Sequence, residues 1–162
     1  HCDWSSDVCS SDLEIMNKLA PGGNVYQAST FAGNPISVTA AINSIKTINR
    51  IKNKLYAKLE RNCELLVDEI DDLATDHKIP HQINSIASMF QIFFSNKPVT
   101  NYNTSKNADG KKFNKLFSNL LKNGVFIAPS QFESVFLSDA HTDTDITKTL
   151  GAYGLSLKAV KH

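Results

Sequence analysis

The sequence predicts an α/β domain behind a long helical lead-in, and three observations carry that expectation. Apolar residues recur every three or four positions through residues 38–73, which is a helical period. Two short runs rich in Ile and Phe, 83–86 and 88–94, then break that period as strands do. Helical spacing returns over 109–123, and a last helix opens at Thr142.

Taken in order, residues 1–13 fit none of this. They show no periodicity, carry the only Trp and repeat Ser-Ser-Asp twice. Their two cysteines have no second ligand pair at a metal-binding spacing. Residues 3–13 look like a translated sequencing-library adapter, so they are not expected to belong to the fold, and protein sequence is expected upstream of residue 14. A short helix over 14–20 should stop at Pro21-Gly22-Gly23, followed by a brief extended piece at 25–27. Asn34 suits a helix N-cap, with Pro35 at the first helical position.

The helical pattern after Pro35 uses Val38, Ala41, Ile42, Ile45 and Ile48, then Leu55, Leu59, Cys63, Leu66, Ile70 and Leu73. Nearly forty residues is long for one globular helix, so a break is expected near 49–54. The expected domain division follows: 14–50 closing one domain and 51–162 forming a smaller α/β domain. Beyond the two strands, residues 95–110 have loop composition. Phe113, Leu116, Phe117, Leu120 and Leu121 share a helical face, with Gly124 as the C-cap. Short strands are expected at 125–128 and 135–137, separated by a turn at 129–133. The last helix has Asp143 and Asp145 in its first turn and Lys158 and Lys161 in its last, an order that suits the helix dipole.

Composition narrows the function classes. With 41% hydrophobic and 20% charged residues and a net charge of +1, the chain reads as an ordinary globular protein. Its lysines are scattered rather than gathered in a stripe, which argues against nucleic-acid binding. No apolar run approaches the roughly 20 residues that span a bilayer, and no signal peptide is expected. Outside the first thirteen residues only Cys63 remains, in a helical pattern where a buried small hydrophobe is the simplest reading; a reducing cytoplasm fits.

Read singly, the chemistry-bearing residues offer modest clues. Ser29 and Thr30, ahead of Gly33-Asn34-Pro35, place hydroxyls and main-chain N–H groups beside a helix start, where a phosphate can be held; many helix starts look the same. Glu133 lies in a turn, as functional carboxylates and solvated ones both do. His141 has the chemistry of a general base, though an isolated His is more often structural. Asp143 and Asp145 read as first-turn dipole partners, and no metal site is expected. Ser130 lies outside any G-x-S-x-G nucleophile elbow, and Asn103-Thr104-Ser105 is a formal sequon that a cytoplasmic chain does not use.

Four stretches together say more. Residues 14–21 (EIMNKLAP), 25–35 (VYQASTFAGNP), 124–133 (GVFIAPSQFE) and 140–146 (AHTDTDI) resemble the glutamate-1-semialdehyde 2,1-aminomutases, in that family's order and spacing. The likeness covers essentially all of 14–162. The T-F-x-G-N-P element is shared with class-III aminotransferases at large, whereas A-P-S-Q-F-E followed by A-H-T is much more specific.

The resemblance implies the C-terminal part of a fold-type-I pyridoxal-phosphate (PLP) transferase: the end of a large domain and a small α/β domain. It implies the cofactor pyridoxal 5'-phosphate or pyridoxamine 5'-phosphate, and conversion of glutamate-1-semialdehyde to 5-aminolevulinate, the tetrapyrrole precursor. It implies a homodimer in which the 28–34 loop of one subunit reaches the cofactor phosphate of the other. Thr30 matches the phosphate-binding threonine, Ser29 stands where the family usually has Gly, and Glu133 matches a glutamate near the substrate. The lysine that bonds the cofactor is expected upstream of residue 14, so the chain alone is expected to be inactive. Two alternatives stay open: another class-III aminotransferase, or a non-catalytic binding or oligomerisation module.

Overall fold

The structure, a computed structural model, describes residues 13–28, 30 and 32–161. The chain divides into two compact units, His1–Thr47 and Ile48–His162.

In the first unit, α1 (Leu13–Met16) is a single turn. It is shorter than its sequence pattern suggested, because the chain bends back so that Leu19 and Val25 form an isolated parallel bridge. The Val25 N–H donates to the Lys18 carbonyl and the Ala20 N–H to the Val25 carbonyl, both at 2.9 Å. Gly23 is required there, since a Cβ would collide with the Lys18 main chain. Helix α2 (Pro35–Asp76) then begins under the Asn34 cap. Its early apolar residues Ile36, Val38, Ile42 and Ile45 are exposed.

Helix α2 is uninterrupted for 42 residues, so the break expected near 49–54 is not present. Residues 36–76 contain neither Pro nor Gly, and the Asn and Ile there lower helix propensity without breaking the hydrogen-bond ladder. The helix ends where Lys78 takes a left-handed φ of 56°. The Ile79 N–H reaches back to the Ala74 carbonyl and the Lys78 N–H to that of Thr75, a Schellman closure with Pro80 beyond it.

In the second unit, β1 (Gln82–Ile86) and β2 (Met89–Phe93) form an antiparallel hairpin, and β3 (Val135–Phe136) pairs antiparallel with β2 on its far side. Strand β2 is therefore central, and residues 90–93 are all buried. Phe90, Ile92 and Phe94 join the main core with Cys63, Leu66, Ile70 and Ala74 of α2. Phe113, Leu116 and Leu120 of α4 (Gly110–Lys122) and Ile146, Tyr153, Leu157 and Val160 of α5 (Asp143–Val160) complete it. On the opposite face of β2, Phe93 packs with Val99 and Ala108 in a smaller cluster. Burial raises the pKa of the Cys63 thiol, with Glu64 adding to the effect, as suits a packed rather than a reactive cysteine.

The caps explain the helix boundaries. The Asp109 carboxylate accepts from the N–H groups of Lys111 and Lys112 at the start of α4. At its end the Gly124 and Val125 N–H groups return to the Leu121 and Leu120 carbonyls, with Gly124 at φ +80°. Thr142 and Asp145 form a capping box on α5. Two expectations need correction. Residues 125–128 form no strand, and only Ile127 among them is buried. The stretch read as loop also contains a short helix, α3 (Tyr102–Ser105), nucleated by an Asn101–Thr104 capping box.

Candidate functional site

Thr30 lies in the first unit, exposed in a turn between residues 26–28 and the start of α2. Ser29 falls outside the described residues. The turn closes through Gly33 at φ +74°, a left-handed conformation that glycine adopts at little cost. Among the described residues the Thr30 hydroxyl makes no hydrogen bond. The first-turn amides of α2 are a different matter. The Asn34 side-chain oxygen accepts from Ile36 N–H at 3.0 Å and Ser37 N–H at 3.2 Å, and Pro35 has no N–H to offer. Those helix-start amides are therefore already engaged.

Glu133 lies in the second unit, exposed at the end of the turn 129–133. This turn is built by short-range bonds. The Glu133 N–H donates to the Ser130 carbonyl at 3.1 Å, and the Phe132 N–H donates to Ser130 Oγ at 3.2 Å. Ser130 thus has a local structural task. Two glutamines, which sequence reasoning missed, tie the turn to the unit's interior. Gln91 of β2 donates from Nε2 to the Gln131 carbonyl at 3.0 Å, and Gln131 donates from Nε2 to the Ser105 carbonyl at 3.3 Å. The only local hint was a Gln inside the otherwise apolar run M-F-Q-I-F.

An open groove of about 570 Å³ runs beside the turn, lined by Asp109, Gly110, Lys111, Ser130, Gln131 and Phe132 among others. The α4 N-terminus on its wall is already occupied by the Asp109 carboxylate, so it offers no anion site. Phe132 also meets Tyr102, with ring centroids 5.7 Å apart, and the Lys106 ammonium lies 4.9 Å from the Tyr102 centroid.

His141 does not stand as a free base. Its Nδ1 accepts from the Ser138 N–H at 3.0 Å, while its own N–H donates to the Ser138 carbonyl at 3.2 Å. The imidazole closes a turn ahead of α5 and must carry any neutral-state proton on Nε2. Asp145 is held by Thr142: hydrogen bonds from the Thr142 N–H and hydroxyl lower its carboxyl pKa. Asp143 and Asp145 thus serve the helix start, as their position suggested. Among the described residues no group of three or more His, Cys, Asp or Glu side chains is placed to hold a metal, and no helix is long and apolar enough to cross a membrane.

Comparison with known proteins places this arrangement. Over 149 residues the chain is 72% identical to the glutamate-1-semialdehyde 2,1-aminomutase of Nitrosopumilus maritimus, covering 92% of this chain and 35% of that protein. It is 54% identical over 147 residues to glutamate-1-semialdehyde 2,1-aminomutase 1 of Cenarchaeum symbiosum, covering 91% and 35%. The chain thus spans about a third of the length of the curated relatives it matches.

Among solved structures it resembles an omega-transaminase from Sphaerobacter thermophilus, with a TM-score of 0.72 at 17% identity over 93% of this chain and 34% of that one. A transaminase with PLP bound gives a TM-score of 0.70 at 17% identity over 90% and 32%. At such identities the likeness concerns fold, and it shows that this mixed helix-and-sheet chain covers part of the fold-type-I transaminase fold, as expected. Residues 6–151 match the family described as aminotransferase class-III, and the chain belongs to that family.

Proposed function

We propose that this chain is part of a glutamate-1-semialdehyde 2,1-aminomutase, a PLP-dependent enzyme that moves an amino group within glutamate-1-semialdehyde to give 5-aminolevulinate for tetrapyrrole synthesis. The observation that carries the reading is the 72% identity, over 92% of this chain, to a protein of that name. The likeness at 28–34 and 124–133 adds Thr30, Ser29 and Glu133 as the residues with roles.

The residues fit the cofactor at its phosphate end. Thr30 presents a hydroxyl with no partner among the described residues, on a turn whose Gly33 lets the main chain approach closely. With Ser29 it would hold phosphate oxygens. When bound, the pyridine ring supplies an electron sink for chemistry at the amine-bearing carbon. Glu133, when ionised, is acceptor-only and would orient the donor groups of the substrate from the end of its turn. The 28–34 loop would serve the neighbouring subunit of a homodimer, and the enzyme would work in the cytoplasm.

The lysine that bonds the cofactor would lie in the part of the relatives that this chain does not span. Borohydride reduction of the 162-residue chain with PLP should therefore leave no stoichiometric pyridoxyl adduct at any one lysine; such an adduct at a single site would overturn that point.

The experiment that tests the whole reading uses the full-length protein carrying this sequence. It should form 5-aminolevulinate from the semialdehyde with no external amino donor. A strict requirement for an oxo-acid acceptor would instead mark another class-III aminotransferase. Thr30→Ala should weaken cofactor retention, read as the free cofactor concentration needed for half-saturation. The loss of a charge-assisted hydrogen bond corresponds to roughly a tenfold change or more.

A further inference from the structure

We infer that Gln91 and Gln131 are positioning residues for Glu133, holding its turn against the interior so that the carboxylate meets the substrate at a set place. The inference rests on the reading of Glu133 given above and adds residues that the reading does not include.

Gln91 occupies the middle of the central strand and is 5% exposed. An amide there is costly unless its hydrogen bonds are made. Only half of that need is met: Nε2 reaches the Gln131 carbonyl, whereas Oε1 has no partner among the described residues. Gln131, 8% exposed, repeats the pattern, with Nε2 on Ser105 and Oε1 unpartnered. A pair of half-satisfied buried amides is a poor way to gain stability, since an apolar side chain of equal size would fill the space without orphaned acceptors.

What the pair does accomplish is geometric. Gln91 bridges a separation of 40 residues and Gln131 one of 26, and both bonds end on or leave from the residue two before Glu133. The Gln131 amide lies over Gly110, where an added Cβ would sit at ordinary contact distance, 3.7 Å from Oε1. Beyond Gln131, the two Ser130 bonds carry the constraint to Phe132 and Glu133. Without the two glutamine bonds, the hydrogen bonds that hold the turn among the described residues are its own short-range ones.

The test uses the full-length protein and two readouts. Gln91→Met removes the donor while keeping length and volume. Hydrogen exchange of a peptide covering 129–134 should speed up by roughly tenfold, the effect of losing about one hydrogen bond, while the β1–β2 peptide is unchanged. The KM for the semialdehyde should rise with kcat less affected, and the thermal midpoint should move little because a released carbonyl can turn to water. Gln131→Met, which leaves the Gln91 bond in place, should give a smaller effect of the same kind.

If Gln91→Met lowers the thermal midpoint but leaves 129–134 exchange and KM untouched, the residue is merely structural and the inference is overturned. If neither variant folds, the unaltered protein decides: slow exchange at 129–134, matching β2, supports the tie, and exchange at the rate of an unstructured peptide overturns it. Glu133→Gln separates the two readings. Should it leave KM unchanged, the role of Glu133 itself fails; should it raise KM while Gln91→Met does not, only the positioning role fails.

Discussion

The Thr30 turn and the Glu133 turn are both exposed, both carry a residue with a proposed role, and yet are made differently. Around Thr30 the hydrogen bonds are short-range: Asn34 caps residues two and three positions on, and the helix beyond carries Ile36, Val38, Ile42 and Ile45 open to solvent. Around Glu133 the local bonds are backed by ties from β2 and to α3, over a core in which Leu116, Leu120 and Leu157 are fully buried. The first region offers donors without walls; the second carries its own support. A chain can thus hold one turn by long-range ties to its interior and another, among the described residues, by local bonds.

Matched truncations should break or sharpen that contrast. The largest effect is expected in the second unit: Leu116→Ala, at 0% exposed, should cost about 2–5 kcal/mol in urea unfolding through lost burial and a cavity. A cost near zero would mean that the core is not packed as described. Next comes the α5 cap, where Thr142→Ala should cost about 1 kcal/mol.

That cap has a pH signature. The Asp145 pKa is lowered in the folded state, so its contribution is present above the ordinary value of 3.8 and is lost as pH falls through the lowered one. Asp145→Asn should therefore flatten the acid limb of stability below that value, whereas Thr142→Ala, which keeps the main-chain bond to Asp145, should flatten it only in part; an acid limb unchanged in Asp145→Asn would argue against the capping box.

A smaller gain is expected at the end of α2. Lys78 sits at φ 56°, a conformation that costs a side-chain-bearing residue about 1 kcal/mol, so Lys78→Gly should stabilise by up to that amount. The smallest effect belongs to the first unit. Ile45 is 59% exposed, and Ile45→Ala should stay within about 0.5 kcal/mol in this chain. A loss as large as that at Leu116 would show that the face is covered in solution, and would erase the contrast drawn above.

Some of this was legible locally. The strand pair, the α4 face, the Asn34 cap, the helix start at Thr142 and the Gly124 stop all follow from spacing and from groups that bond their own backbone neighbours; the Asp109 cap, inside the stretch expected to be helical, does not. The Asn101–Thr104 box that starts α3 is equally local and was simply passed over, hidden in a run of loop-forming residues. The unbroken α2 shows the opposite error, a length prior set above the plain absence of Pro and Gly. At the candidate site, motif likeness picked out Thr30, Ser29 and Glu133, while Gln91 and Gln131 looked like any other amides.

By itself, the sequence determined which residues are helical or extended, which faces are apolar and where helices stop, because those depend on neighbours within a few positions. Only the tertiary structure decided that 125–128 finds no ladder partner, that β2 is central, and that Gln91 reaches a carbonyl 40 residues away. Strand pairing and buried hydrogen bonds need a second group brought near by the rest of the fold, and no local pattern encodes that approach.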